Sequence, residues 1–148
     1  MKNLFEPGAV QEVLTRMEQL KPSSQRQWGK MDVAQMMAHC SAALEMASGK
    51  FVAKRTLIGR ILGPLFRHSL TDDSPFPRNS PTAKELKVGT CDFSQEQDRL
   101  KQCVRRFHEG GESQCTRNPH PFFGEITPLE WSTGMYKHLD HHLKQFGV

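Results

Sequence analysis

The chain ends in HLDHHLKQFGV, which crowds His138, His141 and His142 into five positions. A neutral imidazole offers one lone pair while its other nitrogen carries a proton. Grouped histidines are therefore either a hydrogen-bonding set or a seat for a divalent cation. A helix advances roughly 100° per residue, so with Trp131 at zero Met135 falls near about +40°, His138 near about −20° and His142 near about +20°. Leu139 and Phe146 join that side, His141 lies at its border, and Asp140 points to solvent. His138 and His142 thus share the apolar face one turn apart, the spacing of HxxxH metal helices. A shared ion takes one nitrogen from each ring and keeps both neutral, whereas two buried charged rings repel. The alternative for this pair is a border position with ordinary hydrogen bonds.

A third ligand is required, and His39 in QMMAHCSAA is the first candidate. It sits mid-helix, roughly 100° from the centre of the main apolar face, where a side chain either enters a cleft between helices or stays a polar border residue. His120 in NPHPFFG is a further candidate, as metal or substrate neighbour, against the reading of a surface histidine between two prolines. Arg78 and Asn79, with Ser80, form a turn in PRNSPT that could hold an anionic or polar substrate or simply cap itself. Phe123 and Trp131, with Trp28 and Phe122, are either pocket walls or core. Cys40 adjoins His39 but falls on the apolar stripe, so packing outweighs a nucleophilic role. Glu45, Glu125 and Glu130 read as surface or capping residues, which leaves no general acid–base pair.

The elements that must position these residues are helices. Periodicity predicts a first helix from about Pro7 to Leu20, before Pro22. A second begins at Asp32 with Gln35 as its capping box and stops at Gly49. From Phe51 to Leu70, Arg55, Arg60 and Arg67 alternate with apolar residues, and Gly59, Gly63 and Pro64 limit the segment to a short or broken helix on the rim. Such a stretch can bind membrane surfaces, but it reads first as a solvated helix face. SLTDDSPFPRNSPTAKEL is a loop. A third long helix is expected from Ser94, where Ser94 and Gln97 make a capping box, to Gly110-Gly111. The last starts on Thr127, Pro128 and Glu130 and runs almost to the end of the sequence. No stretch reads as a strand. One all-α domain over residues 1–148 follows: four long helices with crossover connections and an accessory short one.

Composition narrows the classes. With 148 residues and a net charge of +4, the chain is long enough for a core and too weakly basic to indicate nucleic acid, for which no motif is present either. Clustered basics such as Arg105-Arg106 and Lys54-Arg55 read as exposed helix decoration. Cys40, Cys91, Cys103 and Cys115 form no CxxC pair and read as reduced thiols. MKNLFEPGAV has no signal-like apolar run and no segment has membrane-span length, so the expectation is a cytoplasmic protein with no membrane partner.

Taken together, MMAHC in the second helix and HLDHH in the last resemble the DinB/YfiT-like metalloenzyme superfamily. WGKMDVAQMMAHC, PRNSPTAKEL, HPFFGEITPLEW and HLDHHLKQFG, in that order, resemble an uncharacterised branch of it. The resemblance covers nearly the whole chain. It implies a four-helix bundle with a long connection and a three-histidine site, with His39, His138 and His142 as ligands and His141 as the unused neighbour. It also implies zinc or nickel as cofactor, a homodimer, and either hydrolysis or thiol transfer on a small molecule, since members with assigned roles include bacillithiol- and mycothiol-dependent enzymes. The competing expectation is a non-catalytic bundle in which the metal staples helices or the fold serves association; a fourth protein ligand such as His120 would mark it.

Overall fold

Two helix starts close as their sequences predict. At Asp32 the carboxylate accepts from the Gln35 amide, and the Gln35 side chain accepts from the Asp32 amide. Thr127 and Glu130 reciprocate in the same way, with Pro128 at the first helical position. These caps satisfy N–H groups that a helix start otherwise leaves unpaired.

The computed structural model describes residues 1–80 and 83–148, so Pro81 and Thr82 of the PRNSPT turn lie outside the described residues. Among the described residues the regular elements are all helical: α1 (Pro7–Met17), α2 (Val33–Ala47), α3 (Leu57–Phe66), α4 (Phe93–Gly110) and α5 (Pro128–Gln145), with 3-10 turns at Arg67–Leu70, Lys84–Leu86 and Glu112–Gln114. Among the described residues, extended pairing is limited to one isolated bridge between His120 and Gly124. No described helix is long and apolar enough to cross a membrane.

Three expectations need correction. First, α1 ends at Met17 rather than Leu20. Second, α4 is capped by Asp92, not Ser94: the Asp92 carboxylate accepts from the Gln95 amide, and the Ser94 hydroxyl donates to that same carboxylate. A charged acceptor two residues upstream outcompetes the hydroxyl for the orphan N–H groups. Third, Asp140 is only partly exposed, gripped by Arg16 at 2.8 Å and Lys144 at 2.8 Å.

The long helices share one apolar core. α2 packs on α4 and α5, and α1 packs on the same two. Met36, Met37, Cys40 and Leu44 of α2 meet Leu100, Val104 and Phe107 of α4 and Trp131, Leu139 and Leu143 of α5 within it. α3 is the exception. It packs substantially on none of the long helices, and its inner face is Gly59 and Gly63. A Cβ on Gly63 would stand 2.0 Å from the Phe122 carbonyl oxygen.

Candidate metal centre

α2 carries His39 across from the last turns of α5, and the geometry brings His39, His138 and His142 together. Ring centroids are 4.9 Å apart for His39–His138, 4.9 Å for His39–His142 and 4.6 Å for His138–His142. One ligating atom from each of the three lies within 4.8 Å of the others, and among the described residues this is the one histidine, cysteine or carboxylate group so arranged. His39 and His142 are buried, while His138 keeps some accessible surface at the edge of the cluster.

Partners decide where the protons sit. His39 Nδ1 is 3.0 Å from the Leu86 carbonyl, which can only accept, so Nδ1 carries the hydrogen and Nε2 keeps a lone pair. His142 Nδ1 is 2.8 Å from Gln145 Oε1. The amide of Gln145 cannot be flipped, because its Nε2 donates to the Trp28 carbonyl at 2.7 Å. His142 is therefore also protonated at Nδ1, with Nε2 free. Gly29 makes this possible: its φ is +80°, and a Cβ there would come within 2.5 Å of Gln145 Nε2. The third ring closes the set, with His138 Nε2 at 2.9 Å from His39 Nε2. Since His39 Nε2 carries a lone pair, that contact needs either a proton on His138 or a cation facing both.

Electrostatics keep the site neutral. Burial lowers the His39 pKa, and burial followed by the neighbouring imidazoles His142 and His39 pushes His138 well below its ordinary value. Burial and then His39 take His142 to about 3. Neutral imidazoles are the ligating form. Nitrogens around a tetrahedral imidazole-bound zinc are about 3.3 Å apart, given metal–nitrogen bonds of roughly 2.0–2.1 Å. The three ligating atoms, within 4.8 Å of one another, thus lie within about 1.5 Å of that spacing, and the three residues could hold a metal ion.

The other sequence candidates separate. His120 lies outside the cluster: its Nδ1 accepts from the amides of Phe122 at 3.1 Å and Phe123 at 3.2 Å, and its ring packs at a tilt 5.0 Å from Trp131. Burial and then Arg55 lower its pKa to about 4. Trp131 belongs to the core, and Phe123 is half-buried beside His120. Arg78 stands beyond His141 rather than on the triad, and Asn79 lies near Gly29, its Oδ1 3.9 Å from where a Gly29 Cβ would sit. The Arg78 guanidinium stands 4.2 Å above the Trp28 ring, whose edge packs on His141 at 5.6 Å. Asn79 adopts a left-handed φ of 60°, the uncommon conformation that Asn tolerates best after Gly. His141 takes no place among the three rings; it is half-buried, with Trp28 and Phe76 on its flanks. Cys40 is fully buried, and desolvation raises its thiol pKa far above the reactive range. All four cysteines are free.

Sequence reasoning missed the groups that orient the rings. Leu86 contributes a carbonyl from the 3-10 turn Lys84–Leu86, which no side-chain pattern reveals. Gln145 was legible in principle, since it follows His142 by three residues and shares its helix face.

What fold and site define is an all-helical protein with a buried three-imidazole cluster able to hold a metal ion. A family profile matches residues 4–147, and the chain belongs to that family, described as Protein of unknown function (DUF1569). No curated protein matches the chain, and no solved structure does.

Proposed function

We propose that the chain is a divalent-metal-dependent enzyme of the DinB/YfiT type, a four-helix bundle with a crossover connection. In this reading His39, His138 and His142 hold zinc or nickel and activate water or a small thiol for hydrolysis or thiol transfer on a small molecule. The observation that carries it is the pair of second-layer hydrogen bonds. Leu86 and Gln145 hold protons on Nδ1 of His39 and His142, so Nε2 of each keeps the lone pair a shared ion would need, and that of His39 stands 2.9 Å from His138 Nε2. Metal-binding histidines are oriented by such partners as a rule, whereas polar border residues have no need of a common focus.

When bound, a divalent ion supplies a Lewis acid that polarises a carbonyl and lowers the pKa of water or a thiol. The chain's own residues do the rest. His39 and His142 stay neutral because burial disfavours their protonation. The Arg78 guanidinium and the half-buried His141 form a cationic and aromatic edge next to the triad, suited to an anionic or polar substrate group. Two of the three carboxylates weighed as a base are engaged elsewhere, Glu45 by Arg99 and Lys50 and Glu130 by Arg67, and Glu125 is exposed on the surface. A mechanism without a side-chain base suits that distribution.

The alternative, a stapling metal, calls for four protein ligands. Among the described residues no fourth histidine, cysteine or carboxylate joins the cluster, and His120 spends its lone pair on backbone amides. Both facts favour an open site.

Elemental analysis and titration test the ligand set. Binding of about one Zn²⁺ or Ni²⁺ per chain is expected, strongly reduced in His39→Ala, His138→Ala and His142→Ala and retained in His141→Ala. Equal binding by all four variants refutes the assignment. Turnover of ester, amide or electrophile-plus-thiol substrates by the metal-loaded protein, lost in His138→Ala, tests the enzyme reading. Turnover that survives in His138→Ala, or metal binding without any turnover, favours the structural alternative.

A further inference from the structure

α3 exposes its apolar side chains. Leu57 is 78 %, Ile61 74 %, Leu65 69 % and Ile58 65 % exposed, and Leu62 and Phe66 are exposed as well. These six residues sweep an arc of about 180° around the helix at roughly 100° per residue. The remaining arc holds Gly59 and Gly63, which lie directly on the Phe122–Phe123 backbone. The helix is fastened at its start, where the Thr56 amide donates to the Pro121 carbonyl at 3.1 Å and Thr56 Oγ1 accepts from the Gly59 amide at 2.9 Å. Its closest approach to the body of the protein is through backbone and glycine, and its large side chains remain exposed, Leu62 and Phe66 least so at 38 % and 49 %.

That arrangement is unusual for a face left in water. A ten-residue helix is too short to be stable alone, and contiguous exposed apolar patches of this kind mark interaction surfaces. The occupant is indicated by charge and by size. Between Met46 and Thr71 the sequence has five Lys and Arg and no carboxylate. Lys54 and Arg60 are exposed, whereas Arg67 is neutralised by Glu130 at 2.6 Å. Pairing this face with a second copy across a two-fold axis would bring the cations of both copies together. Its length is about 15 Å at 1.5 Å per residue, which is too little for the ~800 Å² per partner of a stable dimer. An anionic lipid surface suffers from neither difficulty. It accepts the apolar side chains one by one and attracts the flanking cations.

We propose that α3 is a membrane-surface anchor, lying in the headgroup region of an anionic bilayer with Leu57, Ile58, Ile61, Leu62, Leu65 and Phe66 inserted and Lys54 and Arg60 against lipid headgroups. This inference is independent of the metal site.

Vesicle flotation of the full chain is the test, with phosphatidylcholine alone and with phosphatidylcholine containing phosphatidylserine. Partition into the anionic vesicles that weakens with salt is expected. Ile61→Glu/Leu65→Glu should lower it by on the order of a hundredfold or more. Lys54→Ala/Arg60→Ala should lower it by about fivefold per cation while leaving the apolar face intact. All replaced side chains are exposed, so circular dichroism should be unchanged. No partition into anionic vesicles, or equal partition by Ile61→Glu/Leu65→Glu, overturns the proposal. So does a wild-type dimer in sedimentation velocity that this variant converts to monomer, which would assign the face to a second copy.

Discussion

Gln145 offers the most direct way to separate a metal centre from a chance cluster of histidines. Its side chain bridges two groups: Oε1 accepts from His142 Nδ1 at 2.8 Å, and Nε2 donates to the Trp28 carbonyl at 2.7 Å. The residue is buried. Gln145→Leu keeps the size and removes both bonds, while the backbone bond from the Gln27 amide to the Gln145 carbonyl at 2.8 Å is untouched. Two buried groups lose partners, at about 1–3 kcal/mol each where water does not replace them. That cost falls on the metal-free protein and is read as a lower melting temperature. A second effect appears only when metal binds. A ligating imidazole is a stronger Nδ1–H donor than a free one, so its acceptor contributes more to the loaded state. Loss of such outer partners typically weakens affinity by about 10–100-fold, or about 1.4–2.7 kcal/mol. Competition titration of Zn²⁺ against a chelator, on protein shown to be folded, isolates this term. Lower stability with unchanged affinity would mean that Gln145 is only a core residue, and the orientation argument would fail.

His120 is neutral in the fold, with its pKa lowered to about 4 from 6.5. The unfolded chain takes up that proton first, so stability should fall as pH drops from about 6.5 to about 4, by at most about 3 kcal/mol; denaturant midpoints across that range should be flatter in His120→Gln. Gly63→Ala places a methyl group 2.0 Å from the Phe122 carbonyl oxygen, so α3 should detach or shift, seen as faster proteolysis after Arg60 with the rest of the chain still helical. Asp92→Ala should cost about 0.5–2 kcal/mol as loss of the α4 cap, and Ser94→Ala clearly less; the reverse order in thermal melts would restore Ser94 as the cap.

Legibility followed the range of the physics. Within one helix, sequence spacing determines direction, so the turn-apart placement of His138 and His142 and the offset of His141 could be read from HLDHH alone. Capping is equally local, which is why the starts at Asp32 and Thr127 were readable. It misled only at α4, where two competent caps stand two residues apart and their relative strength decides. Across elements the pattern weakens. That His39 enters the cleft, rather than remaining at a helix border, depends on how α2 meets α5 and on the Leu86 carbonyl from an intervening 3-10 turn. Neither leaves a mark in residue type.

The segment from Phe51 to Leu70 shows the same limit from the opposite side. Apolar residues at helical spacing normally announce an inward face, and the cations between them suggested that solvent would see charge. Both inferences assume that a helix packs through its largest side chains. α3 packs through its smallest. Gly59 and Gly63 allow the Phe122 backbone to approach where any Cβ would collide, and a helix fixed by that contact must turn its leucines and isoleucines outward. A glycine pair four residues apart in a helical segment therefore carries information that a hydrophobic pattern alone conceals, because close backbone contact on one side decides which way all the other side chains face.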